Sequence, residues 1–140
     1  MKLLTFNITI EAAPEKVWNI LWNEHSYSRW TSVFQQGSRY EGNLEEGSIV
    51  RMCDSVSNGM YNLVLINTPY SQMKFKHLGW LYDGVEDPQD WPNSTESYQL
   101  QDLGGETQLT VTVNALEEFL DFFNSNLPKA LVQIKVLAEQ

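Results

Sequence analysis

The sequence predicts an α+β fold in which an antiparallel sheet of about six or seven strands packs on one long C-terminal helix. Three observations carry that prediction. Leu116, Leu120, Phe123, Leu127, Leu131, Ile134 and Ala138 recur every three or four positions, drawing one apolar stripe along a helix from Leu116 to Glu139. Leu4, Phe6, Ile8 and Ile10 alternate with Thr5, Asn7, Thr9 and Glu11, the period-two pattern of a half-buried strand. Between these two segments, short strand-like runs follow one another across short turns, which favours an antiparallel meander with the helices on one face.

The terminal helix would run roughly 36 Å, the width of a small domain. Phe119, Phe122, Val132, Val136 and Leu137 widen its stripe, so it is expected to be gripped on more than one side. Pro128 lacks a backbone donor and clashes with the preceding turn. It predicts a kink, or the first turn of a second helix capped by Ser125 or Asn126.

After the first strand, Ala12-Ala13-Pro14-Glu15 places proline at a helix's first position and an acid in its first turn. Val17, Trp18, Leu21 and Trp22 form the apolar face of that short helix, and a second short helix spans Glu24 to Arg29. Phe34 to Tyr40 reads as a strand, followed by a turn from Glu41 to Gly47. Ser48 to Ser55 and Met60 to Asn67 form two strands across a turn containing Asn58-Gly59. Gln72 to Leu81, Ser94 to Gln101 and Thr107 to Asn114 complete the sheet, with Gly104-Gly105 turning the last hairpin.

A chain of 140 residues with 42% hydrophobic content suits one domain, residues 1–140, around one core. A net charge of −9 repels phosphate backbones and anionic headgroups, which argues against nucleic-acid and peripheral-membrane roles. Cys53 is the only cysteine, so no internal disulfide and no cysteine-based metal site is available, and with no base beside it in sequence it is expected to be inert. Thr5, Asn7, Thr9 and Glu11 interrupt the apolar start before any signal-peptide core forms, and no run reaches membrane-spanning length. The expected location is the cytoplasm, with no cofactor.

Ala13-Pro14-Glu15-Lys16-Val17-Trp18 after a first strand resembles the opening of the START/Bet v 1-like (SRPBCC) superfamily. Trp30-Thr31-Ser32-Val33-Phe34, Glu46-Gly47-Ser48, His77-Leu78-Gly79, Gly84-Val85-Glu86-Asp87, Glu96-Ser97-Tyr98 and the segment Leu131 to Glu139 are similar to its branch of Hsp90 ATPase activator homologues. These pieces run in order over nearly the whole chain. The resemblance implies the helix-grip architecture, a curved antiparallel sheet around a C-terminal helix, often enclosing a cavity. It implies three functional readings: a small-molecule binding module for a hydrophobic or amphipathic ligand, an enzyme like the superfamily's polyketide cyclases and dehydratases, or an Hsp90-type co-chaperone.

The residues themselves point to one constellation. Lys74 and Lys76 belong on the wet face of their strand, which turns Met73, Phe75 and His77 inward. In the next strand Thr95, Ser97 and Gln99 face water, and Glu96, Tyr98 and Leu100 face in. A simple hairpin around the 82–93 loop sets His77 opposite Tyr98, with Glu96 diagonal to it. Such groups are costly to bury unpaired, so they bond to one another, to water or to a ligand. A satisfied structural cluster, a ligand-orienting site and an acid–base pair all fit the pattern. Two candidate metal ligands, His77 and Glu96, are too few for a metal site.

The loop Asp83 to Asn93 carries four acids and Trp91 without the ligand spacing of a calcium loop. It reads as a solvated hairpin loop with Trp91 packed back on the body, or as a lid over a cavity mouth. With five Trp, six Tyr and six Phe, the chain has aromatics enough to wall a pocket, and Trp18, Trp22, Trp30, Trp80 and Trp91 are candidates alongside a plain core role. The residues expected to meet a ligand are His77, Tyr98, Glu96, Phe75, Trp30, Trp91, Phe123 and Leu127.

Overall fold

A computed structural model describes residues 1–140. The alternating strand at the start, β1 (Lys2–Ile10), pairs with the last strand, β8 (Thr107–Ala115), from Lys2↔Ala115 to Ile10↔Thr107. Between them lie α1 (Pro14–Trp22), α2 (Glu24–Trp30), β2 (Arg39–Glu41), β3 (Ile49–Cys53), β4 (Gly59–Thr68), β5 (Gln72–Tyr82), β6 (Val85–Pro88) and β7 (Thr95–Asp102). The chain ends in α3 (Leu120–Ala138). One antiparallel sheet runs β1-β8-β7-β5-β4-β3-β2, and β6 branches off by pairing with β5. The α+β architecture is the one the periodicities predict. No helix is long and apolar enough to cross a membrane.

Pro14 opens α1, where its missing donor costs nothing. Asn23 caps α2, its Oδ1 accepting from the His25 N–H at 3.0 Å. The two helices are locked at their corner by Trp30, whose indole N–H donates to the Leu21 carbonyl at 3.1 Å. The α3 stripe of Phe123, Leu127, Ala130, Leu131, Ile134, Leu137 and Ala138 is buried, and the helix packs on β1, α1 and α2. Each large side chain so buried contributes about 1.5–3 kcal/mol. The far end of α3 is also latched by polar bonds: Lys135 Nζ donates to the Thr9 carbonyl at 2.8 Å, and the Glu11 N–H donates to Glu139 at 2.8 Å.

Several local expectations are corrected. Leu116 lies outside the helix, which begins only after a single 3-10 turn over Glu117–Phe119. The helix passes through Pro128 without breaking, and neither Ser125 nor Asn126 caps a second one; the Asn126 side-chain amide instead donates back to the Phe122 carbonyl at 2.9 Å. Buried residues on one stripe before and after the proline outweigh its cost of about 3 kcal/mol. Phe122, Val132 and Val136 are 44%, 51% and 48% exposed, so α3 is held on one face only.

The strand expected over Phe34 to Tyr40 shrinks to Arg39–Glu41. Thr31–Val33 continues α2 as a 3-10 turn, and Gly37 at φ +76° breaks the extended path. Asn58-Gly59 is not the hairpin turn. Asp54 turns the chain there, its Oδ1 accepting from the Val56 and Asn58 N–H groups, while Gly59 is the first residue of β4. A Cβ at Gly59 would collide with the Met52 carbonyl oxygen, which explains the glycine by close approach rather than by turn geometry. The acidic 83–93 loop is not wholly solvated coil, because its first part forms β6. Gly79 makes that pairing possible, since a Cβ there would meet the Asp87 carbonyl oxygen.

Candidate functional site

The site is built where β4, β5 and β7 run side by side. Along β4–β5, Tyr61 is opposite Gly79 but Asn62 is opposite His77, so Leu78 is an extra residue on β5. In an unbroken strand, His77 and Trp80 would point to opposite faces. The bulge brings both to the same cavity. That cavity, of about 330 Å³, lies between the sheet and the helices. Trp22, Tyr27, Trp30, Trp80, Tyr98 and Phe123 form its aromatic walls; His77, Glu96 and Asn62 supply polar groups from the sheet. Exposed Gln35 and Phe122 stand at its rim.

The register of β5 and β7 differs from the simple hairpin. Phe75 faces Glu96 and Met73 faces Tyr98, so His77 comes opposite Ser94, not Tyr98, and its N–H donates to the Ser94 carbonyl at 2.9 Å. The slide follows from β6, which takes up the outer half of β5 and lets β7 begin pairing only at Thr95. The inward face is kept because the shift is by an even number of residues. Ser97, expected in water, is buried and accepts from Gln72 Nε2 at 3.1 Å.

The polar groups form one chain. His77 Nδ1 is 2.9 Å from Ser94 Oγ, and His77 Nε2 is 3.3 Å from Glu96 Oε1. The Tyr98 hydroxyl donates to the other Glu96 oxygen. Burial alone would push the Glu96 carboxyl up; the hydrogen bond and charge of His77 and the Tyr98 hydrogen bond outweigh it and hold the carboxyl below the ordinary glutamate range. Burial, then the adjacent Glu96 charge, pushes the Tyr98 phenol well up, so it stays a donor. Tyr27 is raised for the same two reasons.

Two side-chain atoms of wall residues have no protein partner and almost no accessible surface. They are Trp22 Nε1, a donor, and Asn62 Oδ1, an acceptor. Asn62 is 1% exposed and Trp22 7%. The contrast with Trp30, whose indole N–H is satisfied by Leu21, shows that the fold does not itself supply what Trp22 lacks.

Of the eight residues expected to meet a ligand, His77, Tyr98, Glu96, Trp30 and Phe123 border the cavity. Phe75, Trp91 and Leu127 do not. Phe75 lies in the core against the Trp22 ring at 5.5 Å, and Leu127 is enclosed in the helix–sheet core. Trp91 packs behind the wall, on Trp80 at 5.2 Å and Phe119 at 6.1 Å. Trp18 is likewise core. Cys53 is buried in a small cluster with Tyr61 and Leu81, and burial pushes its thiol up, away from the reactive thiolate. No group of three or more His, Cys, Asp or Glu side chains converges on a common point.

Sequence reasoning missed Asn62, Ser94 and Tyr27. Asn62 carried a signal, because it is the one polar residue in phase with Met60 and Val64 on a strand whose inward face is apolar. Ser94 and Tyr27 carried none, since their positions depend on the register and on how α2 docks.

No sequence-family model matches the chain, and no curated protein matches it in sequence. Solved structures do match in shape. The Aha1 dimer from Colwellia psychrerythraea superposes with a TM-score of 0.77 at 20% identity, covering 99% of this chain and 97% of that one. Protein MLL2253 from Mesorhizobium loti gives 0.76 at 14% identity over 97% and 96%. CalU16 from Micromonospora echinospora gives 0.70 at 16% identity over 97% and 75%. The chain shares the fold of these proteins, an antiparallel sheet packed on a long C-terminal helix. At these identities the likeness speaks for the fold alone.

Proposed function

We propose that this helix-grip protein binds a small hydrophobic or amphipathic molecule in the cavity between its sheet and α3. The observation that carries the reading is an aromatic-walled space of about 330 Å³ with His77, Glu96 and Asn62 among its lining residues. Left dry and empty, such a void would cost roughly 8 kcal/mol, comparable to a small domain's whole stability of about 5–15 kcal/mol. A ligand with an apolar body and a few polar atoms removes that cost.

The test is a thermal-shift screen of lipids, aromatic compounds and polyketide-like molecules against the purified chain. A molecule that binds only the folded state raises Tm with its concentration. Stabilisation by at least one compound class, lost when Tyr27→Ala opens the aromatic wall, is the expected result; a flat response across the whole panel rejects the reading.

One observation favours a second reading, acid–base catalysis. His77, Glu96 and Tyr98 border the same cavity and are joined in one hydrogen-bonded chain that begins at Ser94. On that reading His77→Gln abolishes turnover of a bound compound while leaving its binding within a few-fold.

A further inference from the structure

One edge of the sheet is left half open. β1 pairs only with β8, so the other side of the strand faces outward. At the β7–β8 hairpin the Leu103 N–H donates to the Glu106 carbonyl; followed along the two ladders, that bond turns the even residues of β1 toward β8 and the odd ones toward the edge. The far end of this edge is taken, because the Thr9 carbonyl accepts from Lys135 and the Glu11 N–H donates to Glu139. Leu3, Thr5 and Asn7 keep their outward backbone N–H and C=O groups open, on an extended stretch of the kind that native proteins usually cover. The opposite edge, β2, is only three residues long. Apolar side chains flank the open stretch. Met1 and Leu3 are exposed at its start, and Val132 and Val136 are exposed on the helix that latches over its end. From Met1 to Ile10 there is no acid, in a chain that carries 18.

We propose that β1 pairs antiparallel with β1 of a second copy of this chain, about a two-fold axis through Thr5, to give a dimer with one continuous sheet. The register selects the occupant. Wherever two outward residues face each other, an antiparallel pair exchanges two bonds. With the axis at Thr5, Leu3 meets the copy's Asn7, Thr5 meets Thr5, and Asn7 meets the copy's Leu3, so every open donor and acceptor of both strands is used. Any other symmetric register leaves one of these groups unpaired or sets it against Thr9, whose carbonyl Lys135 holds. A patch that closes completely on its own two-fold image is what an isologous interface requires. The side chains agree. On the helix side Phe6 comes opposite the copy's Leu4, apolar against apolar, and on the outer side threonine faces threonine across the axis. Two copies of net charge −9 repel one another at long range, and the acid-free edge puts no carboxylate across the axis. No residue of β1 lines the cavity, so this interface stands or falls independently of what the cavity holds.

Sedimentation velocity of the full chain over a concentration series measures the assembly. A dimer is expected, and a chain that stays monomeric up to its solubility limit overturns the proposal. Thr5→Pro removes the donor at the axis without touching the β1–β8 ladder, and it should give a folded monomer. Thr5→Lys sets like charges face to face at an exposed position and should weaken the dimer several-fold, less so at high salt; it decides the matter should the proline variant fail to fold. A dimer that neither variant weakens is built on another surface and overturns the assignment. Oxidative cross-linking reads the register. Thr5→Cys should form a disulfide between copies, since directly facing residues have Cα atoms about 5.5 Å apart, whereas Asn7→Cys, which faces Leu3, should not. Cross-linking through position 7 in preference to position 5 overturns the pairing about Thr5.

Discussion

His77 and Glu96 stand on neighbouring strands with Nε2 3.3 Å from Oε1, and both border the cavity. Glu96 is the shared acceptor, since Tyr98 donates to its other oxygen, and Ser94 holds the far side of the imidazole. The same few bonds therefore tie β5 to β7 and shape the floor of the pocket. Changes here are expected to register in stability.

Acid should find this cluster first. The Glu96 carboxyl is depressed in the folded chain relative to an unfolded value of about 4.3. Its contribution is thus fully present above that value and is lost as pH falls through the lower folded pKa. Urea unfolding midpoints measured from pH 7 down to pH 3 should fall on the acid side, and Glu96→Gln should flatten that fall. An identical acid limb in the variant would show that the carboxylate is not held as described.

Removing the imidazole leaves a largely buried carboxylate with one partner. His77→Ala should cost about 3 kcal/mol at neutral pH, in the range for leaving a buried carboxylate short of a hydrogen-bond partner. Equilibrium unfolding in urea measures it, and a loss under about 0.5 kcal/mol, the scale of a surface change, would contradict the bond network.

Gly79 is fixed by the strand beside it. Gly79→Ala should force β6 away from β5 and cost about 1–3 kcal/mol, the usual penalty of overpacking. Hydrogen exchange should show faster amides over Val85–Pro88, with β1 and β8 unchanged.

Pro128 gives the opposite sign. It sits on the exposed side of a continuous α3, so Pro128→Ala restores a helical donor without disturbing the buried stripe. Stability should rise, by up to about 3 kcal/mol. A fall would mean that the ring makes contacts that matter.

How far the sequence reaches is clearest from particular residues. Periodicity alone placed β1, the inward set Met73, Phe75 and His77, and the buried stripe of α3, because burial of a face repeats along an element and leaves a pattern. It misplaced His77 against Tyr98 because register depends on what else pairs with the strand, and the claim of β6 on β5 is a tertiary fact. It assigned Asn58-Gly59 to turn chemistry because close approach of a neighbouring backbone leaves the same glycine. The cavity wall was half legible: Trp30 and Phe123 border it, whereas Phe75, Leu127 and Trp91 lie one layer behind. Inward pointing tells a side chain's face but not whether the space in front of it is filled.

The five indole N–H groups offer the most direct test of the central claim. Trp22, Trp30 and Trp80 border the cavity, while Trp18 and Trp91 lie behind it. In a two-dimensional 1H–15N NMR titration with the most stabilising compound, the Trp22 indole signal should move most and the Trp18 signal should stay in place. A compound that stabilises the protein yet leaves the Trp22 signal unmoved would contradict binding in this cavity.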